Sequence, residues 1–336
     1  MIRTLLAGAA IAALSTGAFA QEFTLRIQTH LSPESVSGKN AATFFDDIRV
    51  MSGGRIQIEE FYSSAVVKSV ETFDAAVNGI LDGDMTGGAY QTGKDPAFQF
   101  VGDIMGGYDT PWQTYAWLYN GGGFDVAQAL YNEYNMQLIG WWIPGPESLS
   151  SSEPLSGPEA MVDWKFRSPP GMQTKIFANM GASPIVMDFT EIFTALESGI
   201  IDGADASNIS TNVSLGLYDI VKHATYPGFH SMPADHLAIN KDVWDSMPED
   251  LQRIVEVAMQ KLSFRTTLDY EVDIQRAATA MAEAGVTLHD WSADDRSAFR
   301  AAAVQAWDEF ATTQLAKDLV AQHKDFLTQI GLFGEQ

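Results

Sequence analysis

Phe23, Leu25 and Ile27 alternate with Thr24, Arg26 and Gln28, a period of two that predicts a strand. Ser32-Pro33-Glu34 then opens a helix that runs to about Met51 and stops at Gly53-Gly54. Alternation returns over 55–61, a helix follows over about 70–78, and Gly79-Ile80-Leu81-Asp82-Gly83-Asp84-Met85 reads as a helix exit into a third strand. The same order recurs later: a strand over 164–167, a helix over 172–180, a strand over 184–189 and a helix over 190–198. Gly199-Ile200-Ile201-Asp202-Gly203-Ala204-Asp205 then mirrors the Gly79 stretch. Two β-α-β-α-β units in one chain predict two α/β domains of similar plan.

Between the units, helices over about 111–118 and 126–134 lead to a strand over 137–142. Pro144-Gly145-Pro146 breaks the chain, and the polar, extended segment 147–152 is expected to cross between domains. After the second unit, 236–240 predicts a strand, and Pro248-Glu249-Asp250 starts a helix with proline early and acids in its first turn. Leu251, Ile254, Val255, Ala258 and Leu262 keep helical spacing, and the pattern continues to about 284. At 1.5 Å per residue that helix is ~55 Å long, enough to brace both domains. A short strand over 285–288 and a helix over about 296–312, capped by Ser292-Ala293-Asp294-Asp295, follow. The first domain is expected at 21–143 plus about 228–265, the second at 144–227 plus about 275–330.

The N-terminus adds a compartment. Arg3, the apolar run Leu5 to Leu14 and Ala18-Phe19-Ala20 form a signal peptide over 1–20, cleaved before Gln21. The apolar run is too short to span a membrane, so export to the periplasm without membrane insertion is expected. Removing it takes away Arg3 and no acid, so a formal charge of −23 becomes −24. A charge of that sign argues against nucleic acid and anionic membrane surfaces as partners. The absence of cysteine removes disulfides, thiol catalysis and Cys-type zinc sites. No Gly-x-Ser-x-Gly elbow, His-Glu-x-x-His pair, P-loop or Gly-x-Gly-x-x-Gly is present, so no catalytic residue is assigned.

The candidate chemistry centres on Arg167. It ends a predicted strand just before the Pro169-Pro170-Gly171 turn, where open α/β sheets bind ligands. Between Ile56 and Trp164 the only basic residues are Lys68 and Lys94. A lone guanidinium there fits a carboxylate by two parallel N–H···O bonds, with folding expected to be nearly indifferent to its removal. Among the scattered histidines, His30 stands at a comparable strand end; the others read as structural or surface residues. Tyr90, Tyr108, Trp141, Trp142 and Phe189 fall at strand ends or in the loops after them, and as a set they suit the wall of a closed pocket.

The stretch Thr190-Glu191-Ile192-Phe193-Thr194-Ala195-Leu196-Glu197-Ser198-Gly199-Ile200-Ile201-Asp202-Gly203 resembles a signature of the solute-binding proteins of tripartite ATP-independent periplasmic (TRAP) transporters, the DctP family. Asn240-Lys241-Asp242-Val243-Trp244 with Met247-Pro248 is similar to a second signature of that family. The resemblance implies a two-domain periplasmic binding protein fold (α/β, type II-like) with a cleft between domains and a long helix across both. It implies capture of a small organic acid, a 2-oxo, hydroxy or aromatic monocarboxylate among the options, and delivery to large and small permease subunits in the membrane. It also implies that Arg167 pairs with the ligand carboxylate and that the loop from Asp205 to Asn208 lines the cleft. Phe189, Tyr90, Gln91, Trp142, Glu147 and His30 complete the candidate ligand-binding set. Familiar members carry Glu followed by Asn or Trp in that loop, and in 2-oxo acid-binding members it also helps hold a metal ion. Here Asp205 is followed by Ala206, so no cofactor is assigned and a bridging metal is left open. An exported hydrolase, or a binding protein feeding a sensor receptor, are the alternatives.

Overall fold

The computed structural model describes residues 21–333; the expected signal peptide lies outside them. Two sheets organise the chain. The first contains β1 (Phe23–Thr29), β2 (Ile56–Phe61), β3 (Gly83–Gly87), β4 (Met136–Trp142) and β10 (Asp235–Asn240), in the order β2-β1-β3-β10-β4. The second contains β5 (Ser148–Ser151), β6 (Lys165–Ser168), β7 (Ser183–Val186), β8 (Gly203–Ser207), β9 (His223–Thr225) and β11 (Thr287–His289), in the order β11-β9-β5-β8-β6-β7.

The two repeats build the same parallel core. β1 runs parallel to β2 and β3, as β6 does to β7 and β8. The shared Gly-Ile-x-Asp-Gly stretch explains how. Gly79 and Gly199 turn out of their helices at φ 74° and 70°, a region that disfavours other residues. Ile80 and Ile200 then face solvent, while Leu81 and Ile201 enter the core. Asp82 and Asp202 tie the incoming strand to its neighbour: their carboxylates accept the backbone N–H of Arg26 (2.8 Å) and of Lys165 (3.3 Å).

Each sheet gains an antiparallel strand from outside its own repeat: β10 lies beside β3, and β5 beside β8. The chain therefore crosses between lobes at 143–147 and returns at 226–234. The crossing is shorter than expected, because 148–151 is already a strand of the second sheet. The predicted long helix is Glu249–Glu283, 35 residues or about 52 Å. It packs on helix Val36–Met51 and β4 in the first lobe and on helix Ile209–Ser214 in the second. The Tyr270 hydroxyl on this helix joins the lobes, hydrogen bonding to Ser37 Oγ (3.1 Å) and Thr211 Oγ1 (2.8 Å).

Two further helices end the chain. Ala293–Phe310 lies on helix Met172–Asn179, and Gln314–Gln329 lies on helix Ala97–Gly102. No element was expected over the last of these, although Ala316, Leu319, Val320, His323 and Leu327 have helical spacing and are all buried. Through these helices the lobes share one apolar cluster that includes Phe73, Phe98, Phe166 and Trp307.

Candidate ligand-binding site

β6 ends at Ser168, and the Pro-Pro-Gly turn that follows leaves Arg167 at the carboxyl end of the strand. Gly171 sits at φ 108°, and a Cβ there would lie 2.5 Å from Gln99 Oε1. Gln99 belongs to the first lobe, and its Oε1 accepts the N–H of Met172 at 3.0 Å. The glycine thus permits a close approach of the two lobes beside the site. Between them lies a cavity lined by residues of both lobes. His30, Tyr90, Glu147, Arg167, Phe189 and Asp205 all reach its wall.

Arg167 is 2% exposed. Its Nε donates to the Met187 carbonyl (3.2 Å) and its Nη1 to the Asp205 carbonyl (2.8 Å), and the guanidinium stacks over Phe189 at 5.7 Å. Nη2 has no partner among the described residues. A buried, unpartnered limb of a permanent cation is costly to leave unmatched, and it faces the cavity. The expectation that folding is indifferent to Arg167 needs correction, because the side chain also serves two buried carbonyls.

Four carboxyls share the cavity wall with this one cation. Asp205 opens toward His230, whose Nε2 lies 3.1 Å from Oδ1. Burial would raise Asp205, but the His230 charge and hydrogen bond outweigh it and hold the group below the usual range. Burial, then the neighbouring Asp205, push Glu147 well above its ordinary value. Burial lifts Asp103 to about 6, although Ser231 Oγ donates to it at 2.6 Å. Burial, with Asp103 and Asp84 adding repulsion, lifts Asp235 to about 8. His30 is pulled down to about 4 by burial and by Arg167, so it is neutral at pH 7, and its 3.9 Å approach to Asp235 is not an ion pair. Its ring meets Phe189 and Tyr90 edge-on at 5.4 and 5.9 Å.

Three of the nine candidate residues do not reach the cavity. Successive strand residues face opposite sides, so Trp141 fills one apolar layer at the end of β4 and Trp142 the other, among Leu25, Ile27 and Met259. Gln91 is buried behind Tyr90, off the cavity wall. Asn208 caps helix Ile209–Ser214 by accepting from the Thr211 N–H (3.0 Å) and donates to the Pro144 carbonyl (2.8 Å), which anchors the crossing segment. Asp103, Gln173, His230 and Asp235 complete the site and were not singled out. Asp235 directly precedes a predicted strand, and that position was a usable signal. Asp103 and His230 come from irregular segments that pattern does not place.

The donor atoms of Glu147, Asp205 and His230 all lie within 4.8 Å of one another, and all three residues are buried. Two carboxylates and an imidazole form a donor set that fits a divalent cation, and a cation would relieve the repulsion between the two acids. His230 Nδ1 is also without a partner among the described residues.

The family model described as "Bacterial extracellular solute-binding protein, family 7" (DctP) matches residues 27–314. The chain is 26% identical over 302 residues, 86% of this chain and 80% of the other, to a monocarboxylate 2-oxoacid-binding periplasmic protein of a Nostoc species. It superposes at a TM-score of 0.73 on a TRAP periplasmic solute-binding protein from Rhodobacter sphaeroides in an apo open state, with 32% identity over 93% of this chain and 100% of that one. A TRAP solute-binding protein from Bordetella bronchiseptica, a dimer with calcium and picolinate in one site, superposes at 0.86 with 21% identity over 92% and 93%. The two-domain α/β plan, the cleft and the family match agree with one another: this chain belongs to the DctP family of TRAP periplasmic solute-binding proteins.

Proposed function

We propose that this protein captures a small organic acid in the interlobe cavity and delivers it to the membrane subunits of a TRAP permease. The observation that carries the proposal is Arg167: a buried guanidinium, oriented by two carbonyls, with its Nη2 limb free to donate to a ligand carboxylate. Water exclusion by Phe189 and Tyr90 strengthens such a charged hydrogen bond. The protein is a binding protein in this reading, with no catalytic role assigned to any residue. Periplasmic location agrees with the family, and no helix among the described residues is long and apolar enough to cross a membrane.

Closure of the lobes on the ligand belongs to the same reading. The apo open relative superposes less well than the more distant dimer in which one of the two sites is occupied, which supports lobe movement in a shared fold. Polar contacts join the lobes at the cleft: Asp188 Oδ2 accepts the Ser69 N–H at 2.9 Å, and Lys68 reaches Glu191 at 3.3 Å. Where a metal ion takes part, Glu147, Asp205 and His230 would hold it, and its charge would help bind an acidic ligand. A thermal-shift screen against carboxylic acids, run on chelator-treated and calcium-supplemented protein, tests the proposal. An acid at 100 times its Kd adds about 2.7 kcal/mol of stability. If no acid stabilises the protein under either condition, the reading fails.

A further inference from the structure

The cavity sets one permanent cation, on the second lobe, among several carboxyls from both lobes. Asp103, Glu147, Asp205 and Asp235 line it, against one guanidinium and a neutral His30. Burial raises Glu147 and Asp235, so the cavity alone favours their neutral forms, and a cation placed beside either would draw its proton off. Three of the four protein acids have an evident use. Asp103 accepts from Ser231 Oγ and from the Met232 N–H (3.4 Å), while Asp205 and Glu147 cluster with His230. Asp235 does not belong to that cluster, and its carboxylate has no hydrogen-bond partner among the described residues, although the residue is only 7% exposed.

The fold makes room for this acid. Asp235 opens β10 opposite Gly87 of β3, and a Cβ on Gly87 would lie 2.9 Å from Asp235 Oδ1. A side chain on that neighbouring strand would displace the carboxylate. Asp235 stands on the first sheet and Arg167 on the second, so the two opposite charges come from opposite lobes. Tyr90 lines the same cavity, and an aromatic ring there suits a cation.

We infer that the ligand is a zwitterion, with its carboxylate on Arg167 and a cationic nitrogen on Asp235. This rests on the organic-acid reading and narrows it to amino-acid-like or betaine-like compounds. A dipolar ligand matches both lobes at once and adds no net charge to the cavity. It also gives closure a direct cause, because each end of the ligand belongs to one lobe.

The test uses metal-stripped full-length protein and acids matched in skeleton. The probes are alanine with propionate and pyruvate, proline with cyclopentanecarboxylate, 4-aminobutyrate with butyrate, and glycine betaine. Thermal shift ranks them, and calorimetry measures the best. The expected result is that an amino or betaine member binds at least tenfold tighter than its nitrogen-free partner. Asp235→Asn, an isosteric change, should then weaken that ligand by ~30-fold or more, as removing one member of a buried charge pair does, and by at least tenfold more than it weakens the nitrogen-free partner. If nitrogen-free acids bind as well as or better than every nitrogen-bearing probe, the zwitterion inference is overturned and the organic-acid reading stands. If Asp235→Asn leaves the best zwitterion within threefold, Asp235 is a neutral donor and the inference is again overturned. If no probe of either kind binds, in chelator or in calcium, both fall.

Discussion

The two repeats are built to one plan, and the difference between them lies in how each strand end treats its polar side chain. Gln28 stands two residues beyond Arg26 on β1, as Arg167 stands two beyond Lys165 on β6. Both reach the loop after the neighbouring strand. Gln28 uses itself up there: Nε2 donates to the Val67 carbonyl and Thr72 Oγ1, and Oε1 accepts from Val66 and Val67. Arg167 makes the matching bond, to the Met187 carbonyl, and a second to Asp205, yet has donors left over. One half of the scaffold closes its strand end on itself, and the other turns the surplus toward the cleft. In the proposed reading, a binding site is made from a structural position by a side chain with more donors than the loop can absorb.

The sharpest way to break that comparison is to make the halves alike. Arg167→Gln copies Gln28. It should fold with less than about 2 kcal/mol lost, because an amide can serve at least one of the carbonyls. Ligand affinity should fall by ~100-fold or more, the cost of unmatching a buried charge. Arg167→Ala should lose the same affinity and, in addition, about 2–4 kcal/mol of stability, since two buried carbonyls lose their donors. Arg167→Lys should recover part of the binding only. Calorimetric titration with chemical denaturation separates the two losses. Binding by Arg167→Gln within a factor of three of the parent would refute the site.

A second contrast is electrostatic. The first lobe contributes an acid raised to about 8, Asp235, and the second an acid held low, Asp205. An acid raised in the folded state binds its proton more tightly there than in the unfolded chain. Its stabilisation is therefore present below the unfolded value near 4 and is lost as pH rises toward 8. Ligand-free protein should lose about 3–4 kcal/mol between pH 5 and 8 on this account, and Asp235→Asn should reduce that slope. Asp205 acts in the opposite sense, as does His30: each contributes stability at neutral pH that is lost on acidification, His30 between about 6.5 and 4. Melting temperatures from pH 2.5 to 8.5 for the three variants, Asp205→Asn and His30→Gln included, check the signs, the Asp205 effect falling below the unfolded value near 4.

Smaller effects test the shared motif. Asp82 accepts the Arg26 backbone N–H and both Nε and Nη2 of its side chain, each at 2.9 Å. The Asp202 carboxylate has, among the described residues, only the longer bond from the Lys165 N–H. Because Arg26 is 39% exposed, its ion pair is discounted, and Asp82→Ala should cost about 1–2 kcal/mol against about 0.5 for Asp202→Ala. Equal losses in denaturation would mean that the arginine adds nothing. Smallest of all, Asp188→Ala removes the acceptor for Ser69 across the cleft and should weaken ligand binding about fivefold, near 1 kcal/mol. Small-angle scattering should show that this variant needs more ligand to reach the compact form.

Much of the architecture was legible because it depends on local period and punctuation. The repeat, the glycine exits and the long helix follow from residues close in sequence. Arg167 was legible as a lone cation beside a Pro-Pro-Gly turn. Trp142 was misplaced because a strand-end aromatic serves a core layer or a pocket with the same local pattern, and only the packing of Leu25 and Met259 against it decides. Asn208 was misplaced because a cap and a ligand contact ask for the same amide, and the Pro144 carbonyl, 64 residues away, claimed it.

The sequence by itself determined the two α/β units, their order, the brace helix and the family, since each rests on hydrophobic period or on a contiguous signature. Only the tertiary structure decided which acids face Arg167. Asp103, Glu147, Asp205 and Asp235 come from four separate segments, and β10 and β5 cross into the other repeat's sheet to bring them together. A carboxylate's energy in a protein depends on its distance from other charges and from water. Neither distance is written in the neighbours along the chain.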